Sequence, residues 1–235
     1  MRKGLKITAV ILGIFVAAAA VILIFFPGLF TYIQVKKDYS GIDKTLENFV
    51  GFDTEPPADF IQVEKNGVKI KGPENALNDS DTILFSIEKR LAVMSMVYED
   101  TFADDEDMDE SGFSHDEFVH FYKKLGVDYP ENTYDSICFI RNLTAKDCLK
   151  LRSTDKEIFE YLAKIKNDLL ATEILSYIEL DGLKGFFSEY QNRNNSSYIY
   201  GYALWLFDGE KQYIISAYGD TDETLKQILS SVEIS

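Results

Sequence analysis

The hydrophobic positions of this chain fall into three spacings, and each spacing predicts its own kind of element. The first is a continuous run, ITAVILGIFVAAAAVILIFFPGLF at residues 7–30, without a charged side chain. It exceeds the roughly 20 apolar residues that cross about 30 Å of hydrocarbon, so it predicts a membrane span. A cleaved signal peptide would have a shorter apolar stretch, about 7 to 15 residues, and then a polar segment with small residues at the cut. Here Ala17 to Ala20 lie in mid-run and more apolar sequence follows them, which favours an uncleaved signal anchor. Pro27 and Gly28 predict a kink or an end to the regular helix near its outer end, because proline removes a helix hydrogen bond.

The second spacing is two. FIQVEKNGVKIKG reads as a hairpin turning at Asn66-Gly67, with Val63 opposite Ile70 and Glu64 opposite Lys69. Residues 82–88 and 91–98 read as two more strands, with one buried helix as the alternative reading of the same apolar run. Later, ILSYIEL, LKGFFSEYQ, SYIYGYALWLF and EKQYIISAYG predict an antiparallel meander, the last two strands joined by Asp208-Gly209. That turn would set Leu204 against Tyr213, Tyr202 against Ile215 and Tyr200 against Ala217.

The third spacing is helical. SHDEFVHFYKKLG opens on a capping box, Ser114 with Glu117, and stops at Gly126. NTYDSICFIRNL and TAKDCLKLRS start in similar fashion. STDKEIFEYLAKIKNDLLA carries an apolar stripe of Ile158, Leu162, Ile165 and Leu169. DTDETLKQILSSVEI closes the chain, with Asp220 as cap and Leu225, Ile228, Leu229 and Val232 facing inward. The expected fold class is therefore α+β: an N-terminal transmembrane helix, then an antiparallel-sheet domain with a helical insert and a C-terminal helix. Its expected divisions are a cytoplasmic tail at 1–6, a transmembrane signal anchor at 7–35, a juxtamembrane stalk at 36–57 and an extracytoplasmic domain at 58–235.

This order of elements, with the local run IELDGLKGFF, a long aromatic strand pair around a DG turn and the closing ETLKQILSSVEI, resembles the PsbP-like α/β/α sandwich family. The resemblance implies a sandwich fold and an adaptor or lipoprotein-like role, most members having no known catalysis. It carries no functional residue over.

Charge adds a direction and a partner class. Arg2, Lys3 and Lys6 precede the span, and Lys36, Lys37 and Lys44 follow it. A basic front before a near-terminal apolar run works as an export signal, which places the tail in the cytoplasm and the bulk of the chain outside. The formal charge is −15; residues 1–37 hold five basic groups and no acid, which leaves 19 of the 24 basic residues against all 39 acidic ones, a balance of −20. Such a field repels phosphate backbones, so nucleic acid is excluded as a partner, and cations or basic surfaces are favoured. The expected partners are the lipid bilayer, through residues 7–30, and an unidentified protein or cell-wall component.

Candidate chemistry is sparse. In DDEDMDESGFSHDEF, residues 104–118, Asp105, Asp107, Asp109, Ser111 and Glu117 form a candidate Ca²⁺ set. An EF-hand loop needs its bidentate Glu at position twelve; counted from Asp107 that place falls on Phe118, one residue past Glu117. Counted from Asp105, it falls on Asp116 and the sixth-place glycine is replaced by Glu110. The alternative is a solvated acidic loop. Its Asp-x-Asp spelling also matches some glycosyltransferases, whose nucleotide-sugar donors an outward-facing domain would lack. His115 and His120, five apart on a helix, point about 140° from each other and cannot share a metal without a third element. Cys138 and Cys148 are a candidate disulfide worth about 2 to 3 kcal/mol by chain entropy, with two buried, unpaired thiols as the alternative. Tyr198, Tyr200 and Tyr202, with Trp205 and Phe207 on the other face, read either as a peptide- or sugar-binding stripe or as a central strand covered on both sides. No serine-hydrolase elbow, zinc-protease pair, P-loop or dinucleotide fingerprint occurs. The leading expectation is a non-catalytic binding or interaction domain; a cell-surface hydrolase and a calcium-stabilised module are the alternatives.

Overall fold

The computed structural model describes residues 20–22, 24–74, 83–86, 90–100, 102, 111–152, 154–190 and 198–235. These divide into two units. A helical unit draws on Met1–Thr45, Asp104–Pro130 and Phe139–Asp168, and a sheet unit on Leu46–Ala103, Glu131–Cys138 and Leu169–Ser235. The strands are β1 (Glu47–Asn48), β2 (Ile61–Lys65), β3 (Val68–Gly72), β4 (Leu84–Ser86), β5 (Leu91–Glu99), β6 (Glu173–Leu180), β7 (Leu183–Tyr190), β8 (Tyr200–Phe207), β9 (Lys211–Gly219) and β10 (Glu233–Ile234). The main helices are α1 (Leu29–Asp38), α2 (His115–Leu125), α3 (Thr133–Asn142), α4 (Thr154–Thr172) and α5 (Asp222–Leu229), with a 3-10 helix at Ala145–Lys150. The architecture is thus mixed α and β.

In the sheet unit, seven strands run in the order β1-β6-β7-β8-β9-β5-β4, and β10-β3-β2 form a second sheet. All pairings are antiparallel except the short β1 on β6. The β2–β3 hairpin has the expected register, Val63 opposite Ile70 and Glu64 opposite Lys69. Asn66 and Gly67 both take positive φ, 53° and 75°, as a two-residue turn matched to strand twist requires.

The centre of the large sheet is β8, which explains why both its faces are apolar. On one face, Leu204 and Leu206 join Ile215, Ala217 and Val93, and α5 lays Leu225, Ile228 and Leu229 over them, all fully buried. Each buried leucine, isoleucine or valine among them contributes about 1.5–3 kcal/mol. Val68 and Ile70 from β3 complete that core. On the other face, Phe186, Phe207 and Leu175 pack with Ile137 of α3. The start of α3 is fixed by Asp100, whose carboxylate accepts from the Thr133 N–H and hydroxyl and from Gln212 Nε2, while Trp205 Nε1 donates to Gln212 Oε1 at 3.2 Å.

Three local expectations are corrected. Leu204 pairs with Ile215, Tyr202 with Ala217 and Tyr200 with Gly219, a shift of two residues that keeps every side chain on its face. The cause is Asp208: its carboxylate accepts from the N–H groups of Glu210 (2.8 Å) and Lys211 (2.6 Å), so the turn tip moves to Gly209-Glu210. Asp220 does not cap α5; it pairs with Arg90 at 3.1 Å, and Thr221 takes the cap position. The segment TAKDCLKLRS, expected as an ordinary helix, is the 3-10 helix, opened by a Thr144–Asp147 capping box.

Among the described residues no helix is long and apolar enough to cross a membrane; most of the apolar run 7–30 lies outside them. Residues 36–57, expected as a juxtamembrane stalk, hold buried side chains. Ile42 is 2% exposed, and Phe49 and Phe52 form a ring cluster with Phe187.

Candidate functional site

The helical unit is built around the point where the apolar run enters it. The chain turns at Pro27-Gly28 and resumes as α1. Gly28 N–H donates to the Leu149 carbonyl at 3.0 Å, and a Cβ at this position would lie 1.7 Å from the Cys148 oxygen. Only glycine fits so close a backbone approach. Just before the turn, Arg152 Nη2 donates to the Ile24 carbonyl at 3.3 Å. Just after it, Thr31 Oγ1 donates to Glu160 at 3.3 Å, and Val35 is buried. The outward side is different. Val21, Ile22, Ile24, Phe25, Phe26, Phe30 and Ile33 are 44–71% exposed, a density of bare apolar surface that marks contact with lipid or protein.

Behind α1 lies a charged cluster that periodicity alone did not single out. Lys166 of α4 is completely buried, and its Nζ donates to the carbonyls of Ile42 (2.8 Å) and Leu143 (2.6 Å). Burial, reinforced by the Arg141 charge, pushes its ammonium down to about 8 against the opposing pull of Asp43 and Asp147. Asp43 pairs with Lys36 and accepts from Ala145 N–H at 3.0 Å. The Lys36 ammonium holds the Asp43 carboxyl below its ordinary range, against burial. Lys166 was detectable in principle: it falls four residues after Leu162, on the face carrying Ile158, Phe159, Leu162 and Ala163.

The acidic loop gives less. Asp105, Asp107 and Asp109 lie outside the described residues. Ser111 Oγ accepts from Phe113 N–H at 3.1 Å, and Glu117 accepts from the Ser114 N–H and hydroxyl, both at 2.8 Å. Those two bonds hold the Glu117 carboxyl below its ordinary range. Both residues therefore serve local turns. Among the described residues no group of three or more His, Cys, Asp or Glu is arranged to hold a metal.

The two histidines enter different surroundings. The His115 ring meets Tyr129 edge-on at 4.8 Å. His120 lines an open hollow of about 310 Å³ with Asp116, Glu117, Arg152, Thr154 and Asp155. That hollow joins the first turns of α2 and α4, where carboxylates are stabilised by the helix dipole. Both cysteines carry free thiols. Cys148 donates to the Ala145 carbonyl at 3.1 Å, and burial pushes it up to about 12; burial also raises Cys138. Neither is a ready thiolate. The tyrosine stripe does not act as one surface: Tyr202 is buried, stacked on Phe187 and donating to Asp222 at 2.6 Å, whereas Tyr198 leans on Tyr218.

No family model and no curated protein matches the chain. A similar solved structure is the solution structure of cyanobacterial PsbP (CyanoP) from Synechocystis sp. PCC 6803, 9% identical, covering 76% of this chain and 94% of that one with a TM-score of 0.35. The likeness is slight, and no property of that protein is carried to this chain.

Proposed function

We propose that this chain is a single-pass, membrane-anchored protein whose folded part works outside the cytoplasm as a non-catalytic binding or interaction domain. Residues 1–6 form the cytoplasmic tail, and residues 7–30 hold the chain in the cell membrane. The observation that carries this reading is the bare apolar surface from Val21 to Ile33, continuous with the uncharged run before it. A soluble chain would lose free energy by keeping that surface in water, at about 25 cal/mol per Å². The interaction role rests on the −20 balance beyond residue 37, which favours a protein or cell-wall partner with basic groups. Alkaline carbonate extraction tests the anchor: the full chain should stay with the membrane pellet, and release into the supernatant overturns the reading. The partner is tested by cross-linking in intact membranes, where the linked species should form less as salt rises.

A further inference from the structure

We propose that α1 is an interfacial element, with the face carrying Phe30, Ile33, Gln34 and Lys37 seated in the acyl–headgroup boundary of the bilayer. This rests on the anchored reading above and adds where the folded chain sits. The four residues are spaced i, i+3, i+4 and i+7, so they form one stripe, and all four are exposed. Their order along the helix is aromatic, aliphatic, amide, ammonium, the order of environments met on leaving a membrane.

The opposite side of α1 is committed elsewhere. Thr31 and Val35 are buried and Thr31 is bonded to Glu160, so the helix cannot roll to hide Phe30 and Ile33 within its own unit. Nor does a loose linker separate it from the span. Arg152 holds the Ile24 carbonyl and Leu149 holds the Gly28 N–H, which ties both sides of the Pro27 break to the segment around the 3-10 helix. The occupant of the bare face follows from continuity: Val21, Ile22, Ile24, Phe25 and Phe26 are exposed and apolar on the same entry segment, and residues 7–20 continue without a charge. Lipid that surrounds the run also meets the face that adjoins it.

The test uses the full chain in phosphatidylcholine–phosphatidylglycerol vesicles, with lipids brominated near the headgroup end of the acyl chain for positions 30, 33 and 40 and near its methyl end for position 18. Phe30→Trp and Ile33→Trp report on the face, Ala18→Trp on the span and Ser40→Trp on the stretch beyond α1. Trp205 supplies a background common to all. Quenching of the Phe30→Trp and Ile33→Trp signals by about twofold, with Ser40→Trp unquenched, supports the proposal. Quenching of Ala18→Trp without quenching at positions 30 and 33 overturns it while leaving the anchor intact, and means that protein or a second copy covers the face. Absence of quenching at all four positions removes the anchor and the interfacial seat together.

Discussion

Lys166 is a cation enclosed by protein, and its bonds decide what its loss would cost. Replacing it by methionine keeps most of the volume but leaves the Ile42 and Leu143 carbonyls without their donor. A buried group left unpaired costs about 1–3 kcal/mol, but below about 8 the removal of a buried ammonium offsets part of that loss, so Lys166→Met should lower stability most in chemical denaturation near pH 10.5, where the native amine is neutral. The pH dependence has a definite sign. The native ammonium titrates at about 8 and the unfolded one near 10.5, so between those values the unfolded chain binds more protons and the Lys166 contribution to stability rises with pH. Wild type minus Lys166→Met, followed from pH 7.5 to 10.5 (roughly the window of that shift), should show this rise. The neutral amine still donates, so the carbonyls stay satisfied. Glu117→Ala is a second check at this scale: its carboxylate closes the Ser114 capping box, so its melting temperature should fall equally in millimolar Ca²⁺ and in chelator. A larger fall in Ca²⁺ would mean that Glu117 ligates the ion. Individual residues were the least legible level. Ser114 and Glu117 announced their bond by spacing, whereas Lys166 gave only its place on the apolar face of α4; that it is wholly covered depends on what arrives from elsewhere in the chain.

Elements were more legible, since their periods are local. The meander, the Asn66-Gly67 hairpin and α5 follow from alternation, turn residues and a stripe. The register error occurred where a side chain competes with the backbone. An Asp-Gly pair reads as a two-residue turn, but Asp208 sits beside the tip and gathers two N–H groups and the Tyr213 hydroxyl at 2.9 Å. Burial pushes the Asp208 carboxyl up; those donors outweigh it and leave it below 3.8. Its contribution is present above that ordinary value and is lost as pH falls through the lowered native one. Asp208→Ala should therefore cost about 1–2 kcal/mol near neutrality, with the difference from wild type shrinking in acid. A gap that persists unchanged at pH 2, far below the usual carboxylate range, would show that the carboxylate charge is not the cause. Gly28 belongs to this scale because it joins two elements. Gly28→Ala drives a methyl into the Cys148 carbonyl, and the forced separation should cost about 1–3 kcal/mol or more, read as a lower melting temperature of the full chain in detergent.

At the scale of the molecule, sequence and structure describe complementary parts. The uncharged run and the −20 balance are properties of the chain alone. That the entry segment is pinned on both sides of Pro27, and that apolar side chains up to Ile33 stay bare, emerges only from packing. Residues 36–57 illustrate the gap: their place after the apolar run reads as a stalk, and only the folded arrangement reveals Ile42 covered and Phe49 and Phe52 gathered on Phe187. A chain anchored as proposed would expose its two ends to opposite compartments. Protease added to intact cells should therefore remove an epitope placed after Ser235 while leaving one placed before Met1 protected until lysis. Protection of the Ser235 epitope in intact cells, or simultaneous loss of both, would contradict an anchored protein that works outside the cytoplasm.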